Sequence, residues 1–216
     1  MRIRDVMTTP AHVISPDTPA WQAVGTIRKL RIRRLPVVDD GVLVGIVTWT
    51  DLVRIRPPAI GGRWTMPNLA VAATVRHLMT TDPITADPDM SVEDAAAILR
   101  RRKIGGLPVV ERQRVVGIVT ESDLLDFFVE TFTAKPAETR LHLPVEQVAA
   151  ELPRVVSALT EASIPIASIH TVRRKGHEAI DVVVRKRDAA RARDALGQRV
   201  VSETRADSPA KALVFE

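Results

Sequence analysis

Two short polar segments carry residue types that could bind a ligand. They share the pattern Thr-x-x-Asp and comprise Thr48, Thr50 and Asp51 in the first segment and Thr120, Ser122 and Asp123 in the second. Each follows an aliphatic run and precedes a helical pattern, which predicts a position where a strand ends and a helix begins. A carboxylate there can accept hydrogen bonds from both hydroxyls of a ribose, and the neighbouring hydroxyls suit phosphate oxygens. The same residues can instead form a capping box, and the two roles are compatible.

Cationic side chains are distributed unequally around these segments. Residues 33–36 read Arg-Arg-Leu-Pro, whereas residues 105–108 read Gly-Gly-Leu-Pro. A bound phosphate needs a cation, and Arg33 and Arg34 stand before Leu-Pro in the first copy alone. The segment of Asp123 has no equivalent arginine, so a site there would use Lys103, take a less charged ligand or stay empty. A solvated helix end is the alternative explanation of the arginines.

An internal repeat relates the two segments. Met7-Thr8-Thr9 recurs as Met79-Thr80-Thr81, Leu35-Pro36-Val37-Val38 as Leu107-Pro108-Val109-Val110, and Gly45-Ile46-Val47-Thr48 as Gly117-Ile118-Val119-Thr120. The offset is 72 residues each time, and the register holds without a gap as far as Leu52. Such self-similarity predicts two copies of one structural unit.

The pattern inside each copy predicts the order β-α-β-β-α. In the second copy Ser91 is the predicted N-cap of a helix, with Asp94 three residues on. Two β-branched strands follow in each copy, and in the first copy they are joined by a turn at residues 39–41, Asp-Asp-Gly. We expect residues 1–56 and 73–134 to form the two repeats, with residues 57–72, which contain Pro-Pro and Gly-Gly, as a connecting segment.

The pattern changes in the last third of the chain. Strands are predicted at residues 141–145, 164–172 and 180–184, and helices at residues 147–162 and 188–196. The order β-α-β-β-α indicates a ferredoxin-like unit over residues 137–206. Residues 207–216 are expected to be a tail of mixed charge.

Composition restricts the class of protein. The chain has 216 residues, no cysteine and a formal net charge of +5. Without cysteine it can form no disulfide or thiolate site, so a reducing, cytoplasmic location is expected. No apolar stretch approaches the roughly 18 residues of a membrane span. A pI of about 10.2 favours anionic partners, but only 3% of residues are aromatic, which argues against stacking on nucleic-acid bases.

Motifs for catalysis are missing. The five histidines show no metal-binding spacing, and the sequence contains no Gly-x-Ser-x-Gly elbow, Walker A loop or Gly-x-Gly-x-x-Gly motif. We therefore predict no catalytic residues, no metal site, no catalytic cofactor and no enzymatic activity.

The repeated Met-Thr-Thr, Leu-Pro-Val-Val and Gly-h-h-Thr-x-x-Asp-Leu segments, in which h is an aliphatic residue, resemble the tandem CBS domains that form a Bateman module. The resemblance covers about residues 1–128 and implies a mixed α/β (α+β) fold in which the two CBS repeats pack as a pseudo-symmetric pair. It also implies that AMP, ADP, ATP or S-adenosylmethionine binds in the cleft between the repeats and thereby controls a partner.

The same resemblance implies roles for individual residues. Asp51 and Asp123 would hold the ribose and Arg34 a phosphate, with the phosphate end lined by Thr48, Thr50, Thr120 and Ser122. Adenine would lie against apolar walls near Ile14 and Ile84.

Residues 162–169, Ala-Ser-Ile-Pro-Ile-Ala-Ser-Ile, resemble part of an ACT domain, a small allosteric module that binds amino acids or pairs across a dimer. A glycine usual in ACT domains is replaced here by residues 151–154, Glu-Leu-Pro-Arg, so amino-acid binding and a purely dimerising role both stay open. A CBS pair followed by an ACT domain is the layout of acetoin-utilisation-type regulatory proteins.

These observations predict a homodimeric, non-catalytic sensor of an adenosine-containing ligand, without membrane segments and acting on an unknown regulated protein. Two alternatives stay open. A basic accessory protein associated with nucleic acid would bind polyanions with a steep salt dependence. A dimerising scaffold would bind nothing in its clefts.

Overall fold

The computed structural model describes residues 1–54, 73–174, 176–197, 200 and 202–205. The expected connecting segment at residues 57–72 and the expected tail at residues 207–216 lie outside the described residues. The chain divides into two units, Met1–Phe127 and Phe128–Glu216. Its architecture is mixed α/β, as the alternation of helical and strand patterns predicts.

Two copies of the series α-β-β-α build the first unit. The predicted strand before each first helix is not formed as such, because the extended residues there make only isolated bridges, Ile14 to Val37 and Ala86 to Val109. The helices are α1 (Ala20–Leu30), α2 (Trp49–Val53), α3 (Val92–Arg102) and α4 (Glu121–Phe132), the last of which extends into the second unit. The strands are β1 (Arg34–Asp39), β2 (Val42–Thr48), β3 (Thr80–Thr81), β4 (Gly106–Glu111) and β5 (Arg114–Thr120). Each copy opens with a short 3-10 helix, Ile3–Asp5 in the first and Val75–His77 in the second.

Antiparallel hairpins form the centre of each copy, β1 with β2 and β4 with β5. The first turns at Asp40 and Gly41, with φ of 49° and 82°, and the second at Arg112 and Gln113, with φ of 48° and 66°. Positive φ at both central residues suits the right-handed twist of a two-residue hairpin. The predicted turn at residues 39–41 is thereby confirmed.

The opening segment of each copy packs on the other copy. Ile3 is fully buried in a core with Leu99 and Leu107 of the second copy, and its N–H donates to the carbonyl of Met90 at 2.9 Å. Val75 is likewise fully buried in the core of the first copy, and β3 pairs with β2. The first residues of each copy therefore complete the core of the other copy.

Glycines permit this packing. A methyl group on Gly117 would lie 2.6 Å from Sδ of Met7 and 3.0 Å from the carbonyl oxygen of Thr8. The related Gly45 would meet Met79 and the carbonyl of Thr80 at 2.7 and 2.9 Å. Because backbone passes so close to both strands, only glycine fits there.

The second unit is a four-stranded antiparallel sheet with two helices. Its elements are β6 (Glu138–Val145), α5 (Val148–Glu161), β7 (Ile166–Arg174), β8 (His177–Arg185), α6 (Ala189–Leu196) and β9 (Ser202–Arg205). The strands lie in the order β7-β8-β6-β9. Leu141, Leu143, Leu159 and Ile180 are fully buried in its core. The elements predicted up to residue 196 are confirmed, while β9 was not predicted.

Candidate functional site

The first Thr-x-x-Asp segment forms a capping box at the junction of β2 and α2. Thr48 donates to Oδ2 of Asp51 from its backbone N–H at 3.0 Å and from its hydroxyl at 2.6 Å. The backbone N–H of Asp51 donates back to the Thr48 hydroxyl at 3.3 Å. With 5 residues, α2 is too short to offer a strong helix dipole to a ligand.

The second segment repeats this geometry between β5 and α4 and adds one contact. Thr120 donates to Oδ2 of Asp123 from its N–H at 2.7 Å and from its hydroxyl at 2.6 Å. The hydroxyl of Thr8 donates to the other carboxylate oxygen, Oδ1, at 3.1 Å. Two parts of the chain therefore fix the Asp123 carboxylate, which lies in the first turn of a helix of 12 residues.

Two cavities lie between the copies. The Asp123 cavity, about 310 Å³, is lined by Thr8, His12, Arg31, Ile32, Arg33, Arg34, Gly105, Ile118, Thr120, Glu121, Ser122 and Asp123. The Thr48 cavity, about 520 Å³, is lined by Arg33, Arg34, Ile46, Thr48, Trp49, Thr50, Thr80, Asp82, Pro83, Ile84, Lys103, Ile104, Gly105 and Gly106. Each combines residues from both copies of the repeat.

The structure distributes the residues singled out in the sequence unequally. Thr120, Ser122 and Asp123 line the Asp123 cavity, Thr48, Thr50, Ile84 and Lys103 line the Thr48 cavity, and Arg33 and Arg34 line both. Asp51 and Ile14 are among the lining residues of neither. Ile14 instead packs against the core of the first copy and bridges to Val37.

Lys103 lines the Thr48 cavity, whereas the sequence suggested it as a cation for a site at Asp123. It ends α3 in the left-handed conformation with φ of 53°, as Arg31 does at the end of α1. These two residues are related by the 72-residue offset, and each lines only one cavity. Arg31, not Lys103, is therefore the cation at the helix end beside Asp123.

Several lining residues were missed in the sequence. His12 lines the Asp123 cavity, and Ile84, at the equivalent position of the second copy, lines the Thr48 cavity. Likewise Glu121 lines the Asp123 cavity, and its equivalent Trp49 lines the Thr48 cavity. The 72-residue offset applied to the candidate site would have found these pairs. It also shows that the Thr48 cavity has the more apolar walls.

Arg34 lies where the two cavities meet. Its guanidinium rests on the backbone of the second copy, because a methyl group on Gly106 would lie 2.5 Å from Nη1 and 3.0 Å from Cδ of Arg34. Burial lowers the pKa of Arg34 from its ordinary value, and the nearby carboxylates of Glu121 and Asp123 oppose that effect. The arginine therefore stays charged at neutral pH.

Main-chain hydrogen bonds hold the segments that carry these cations. The carbonyl of Arg33 accepts from the N–H of Trp49 at 2.8 Å, and the carbonyl of Gly105 accepts from the N–H of Glu121 at 3.2 Å. Each segment before Leu-Pro is thereby attached to the start of the following helix. A fixed carboxylate, hydroxyls and free guanidinium groups in one cavity can bind a molecule that carries both a diol and an anionic group.

Other kinds of site find no support in the described part of the chain. Within residues 1–54 and 73–174 and the shorter described stretches that follow, no group of three or more His, Asp or Glu side chains could hold a metal ion. The helices of those stretches are all too short or too polar to cross a membrane.

Comparisons with known proteins agree with the duplicated architecture. Residues 3–57 and 75–130 each match the CBS domain family. The CBS domain-containing protein YhcV of Bacillus subtilis is 32% identical over 122 residues, which cover 56% of this chain and 81% of that protein. A putative acetoin utilization protein (AcuB) from Vibrio cholerae is similar with a TM-score of 0.53 and 28% identity, covering 61% of this chain and 92% of that chain.

Two similar solved structures contain adenosine compounds. The CBS domain pair of protein MJ0100, in complex with 5′-methylthioadenosine and S-adenosyl-L-methionine, has a TM-score of 0.52 and 30% identity over 61% of this chain and 98% of that chain. CBSX2 in complex with AMP has a TM-score of 0.52 and 28% identity over 60% of this chain and 97% of that chain. The two segments that match the family model lie in the first unit, except that the second continues to residue 130. The chain belongs to the CBS domain family, of which it carries two copies.

Proposed function

We propose that this protein is a non-catalytic regulator that binds an adenosine-containing ligand between its CBS repeats. The ligand would be AMP, ADP, ATP or S-adenosylmethionine, and its occupancy would be transmitted to a partner. The observation that carries the proposal is the Asp123 carboxylate, which lines a cavity together with Thr120, Ser122 and arginines of the first copy.

The Asp123 cavity has the chemistry for a nucleotide. Oδ2 of Asp123 already accepts two hydrogen bonds from Thr120, whereas Oδ1 accepts only the hydroxyl of Thr8 among the described residues. Oδ1 thus keeps acceptor capacity for a ribose hydroxyl, and Arg31 and Arg34 supply donors for a phosphate or a carboxylate. The compounds in the structures of MJ0100 and CBSX2 support an adenosine ligand.

Transmission would use the helix that begins at this cavity. α4 starts at Glu121, carries Asp123 in its first turn and runs to Phe132 in the second unit. A ligand on Asp123 and on the first turn of α4 would favour one arrangement of this helix over others. Such a population shift requires only that the ligand bind the two arrangements with different affinity.

The second unit would serve as a ferredoxin-like, ACT-like domain. Its chain order β-α-β-β-α-β and strand order β7-β8-β6-β9 support that classification. We propose that it pairs two chains into a homodimer, with amino-acid binding as the other role of such a domain. Light scattering on the intact chain and on residues 1–134 would test pairing through this unit.

A ligand panel tests the proposed function. Thermal unfolding would be followed with AMP, ADP, ATP, S-adenosylmethionine and adenosine, using tryptophan fluorescence, since all three tryptophans lie in the first unit. At least one compound should raise the unfolding temperature of the wild type in proportion to the logarithm of its concentration. A flat response to all five would overturn the proposal.

A further inference from the structure

Of the two arginines that line both cavities, Arg34 is the less exposed. Arg34 lines the Asp123 cavity and the Thr48 cavity. The 72-residue offset relates Arg34 to Gly106, so the second copy has no matching cation. The two cavities are therefore built from equivalent segments of the repeat but share one half-buried guanidinium.

The glycines of the second copy create the place that this guanidinium occupies. The three atoms nearest to a methyl group added on Gly105 all belong to Arg34, with Nη1 at 2.8 Å and Cζ at 2.9 Å. A methyl group on Gly106 would also meet Nη1, at 2.5 Å. The absence of side chains at residues 105 and 106 thus allows the Arg34 side chain to reach the second copy.

The guanidinium is free to bind an anion. Among the described residues Arg34 forms no ion pair within 4.0 Å and its side chain donates no hydrogen bond, although it is half-buried near Glu121 and Asp123. Arg33 lines both cavities too, but its side chain is exposed and is more strongly screened by water. Arg34 is therefore the stronger phosphate ligand of the two.

One guanidinium cannot serve two phosphates equally. Its donors form a planar fork, and a bidentate contact with one phosphate turns that plane towards one cavity. A second phosphate in the other cavity would lack this guanidinium, would keep only exposed cations such as Arg31 or Lys103, and would be repelled by the first phosphate. An uncharged ligand needs no cation and would not be affected.

We propose that Arg34 is shared by the two cavities, so that a phosphorylated adenosine ligand in one cavity weakens the binding of a second in the other. The proposal rests on the proposed function and adds a rule of stoichiometry to it. At concentrations that saturate the first site, the chain binds one AMP, whereas adenosine fills both cavities with no such penalty.

Calorimetric titration of the full chain with AMP and with adenosine tests this rule. For the wild type, the ratio of the second to the first dissociation constant should be at least about tenfold larger for AMP than for adenosine. In Arg34→Ala, AMP should bind at least about tenfold more weakly to its first site, and the ratio for AMP should fall towards that for adenosine.

Gly105→Ala provides a second variant, because the added methyl group would displace the guanidinium without meeting the backbone among its nearest atoms. It should change AMP binding in the same direction as Arg34→Ala, and because Gly105 lines both cavities, the test is that AMP affinity falls by more than adenosine affinity does. Gly25→Ala is the matched control, since a methyl group on Gly25 meets nothing within 4 Å. It should behave as the wild type with both compounds.

The outcomes separate this proposal from the proposed function. If neither AMP nor adenosine binds the wild type, the proposed function fails and the sharing of Arg34 fails with it. Equal stepwise binding of two AMP molecules, AMP affinity that is insensitive to Arg34→Ala and Gly105→Ala, or a single site for adenosine as well would overturn the sharing alone.

Discussion

The hydroxyl of Thr8 donates a hydrogen bond to Oδ1 of Asp123 at 3.1 Å across 115 positions of the sequence. This contact joins the opening segment of the first repeat to a carboxylate in the first turn of the last helix of the second repeat. The related pair, Thr80 and Asp51, forms no hydrogen bond among the described residues. The two repeats are thus similar in fold but differ in whether the opening threonine binds the aspartate of the other repeat.

Replacing Thr8 by valine should reveal this asymmetry. Thr8→Val removes the hydrogen bond to a carboxylate and should lower the free energy of unfolding by about 0.5–1.5 kcal/mol. Thr80→Val makes the same change at the related position and should cost less. Urea unfolding followed by tryptophan fluorescence measures both, and equal losses in the two variants would contradict the described difference.

The close packing of Gly117 makes a prediction about stability. Gly117→Ala places a methyl group against Met7 and against the backbone of Thr8, and the resulting strain should cost about 1–3 kcal/mol. Gly25→Ala, in the open on α1, should instead stabilise the first unit by about 0.5–1 kcal/mol. The same urea unfolding checks the opposite signs, and a neutral Gly117→Ala would show that the opening segment does not pack on β5.

Glu178 predicts a pH dependence in the second unit. Its carboxylate accepts the N–H of Val148, the first residue of α5, at 2.7 Å and pairs with Arg173 at 2.6 Å. The hydrogen bond from Val148 is the main reason why the pKa of Glu178 is lowered. Because the folded pKa lies below the unfolded one, this contribution is present at neutral pH and is lost as the pH falls through the folded value.

Hydrogen exchange at the Val148 amide measures that effect directly. Its protection factor, corrected for the intrinsic rate, should fall in the wild type as the pH drops below about 4.5. Glu178→Gln should show lower protection at neutral pH and little further change on acidification. An unchanged pH profile in Glu178→Gln would mean that another group governs the start of α5.

Much of the fold could be predicted because local rules decide it. The hairpin turn at Asp40 and Gly41 and the cap of α3 both follow from residue types at short spacing, and Ser91 does accept the N–H of Asp94, at 3.0 Å. The packing of each opening segment on the other copy could not be predicted. Two similar copies offer Ile3 two similar surfaces, and tertiary packing alone selects between them.

The candidate site was predictable in its residue types and less so in its grouping. Thr120, Ser122 and Asp123 do line one cavity, whereas the sequence could not show that Asp51 would lie outside the lining of the other. Arg34 reaches the second copy because Gly105 and Gly106 leave room for it. Comparison of the two repeats shows that the second copy has glycines where the first has arginines. It does not show that the side chain of Arg34 occupies the space beside those glycines.

In the proposed function the Asp123 carboxylate holds the ligand, and a pair of capping variants tests that contact. Asp123→Ala and Asp94→Ala both remove the carboxylate that accompanies a helix N-cap, and each should cost about 0.5–2 kcal/mol of stability. Asp123 lines the Asp123 cavity, whereas Asp94 is among the lining residues of neither the Asp123 cavity nor the Thr48 cavity.

Calorimetric titration of the two variants with the ligand that most raises the wild-type unfolding temperature gives the decisive comparison. Asp123→Ala should weaken binding by about tenfold to a hundredfold, because a charged hydrogen-bond acceptor is lost, while Asp94→Ala should bind as the wild type does. Equal affinities in the two variants would contradict the account.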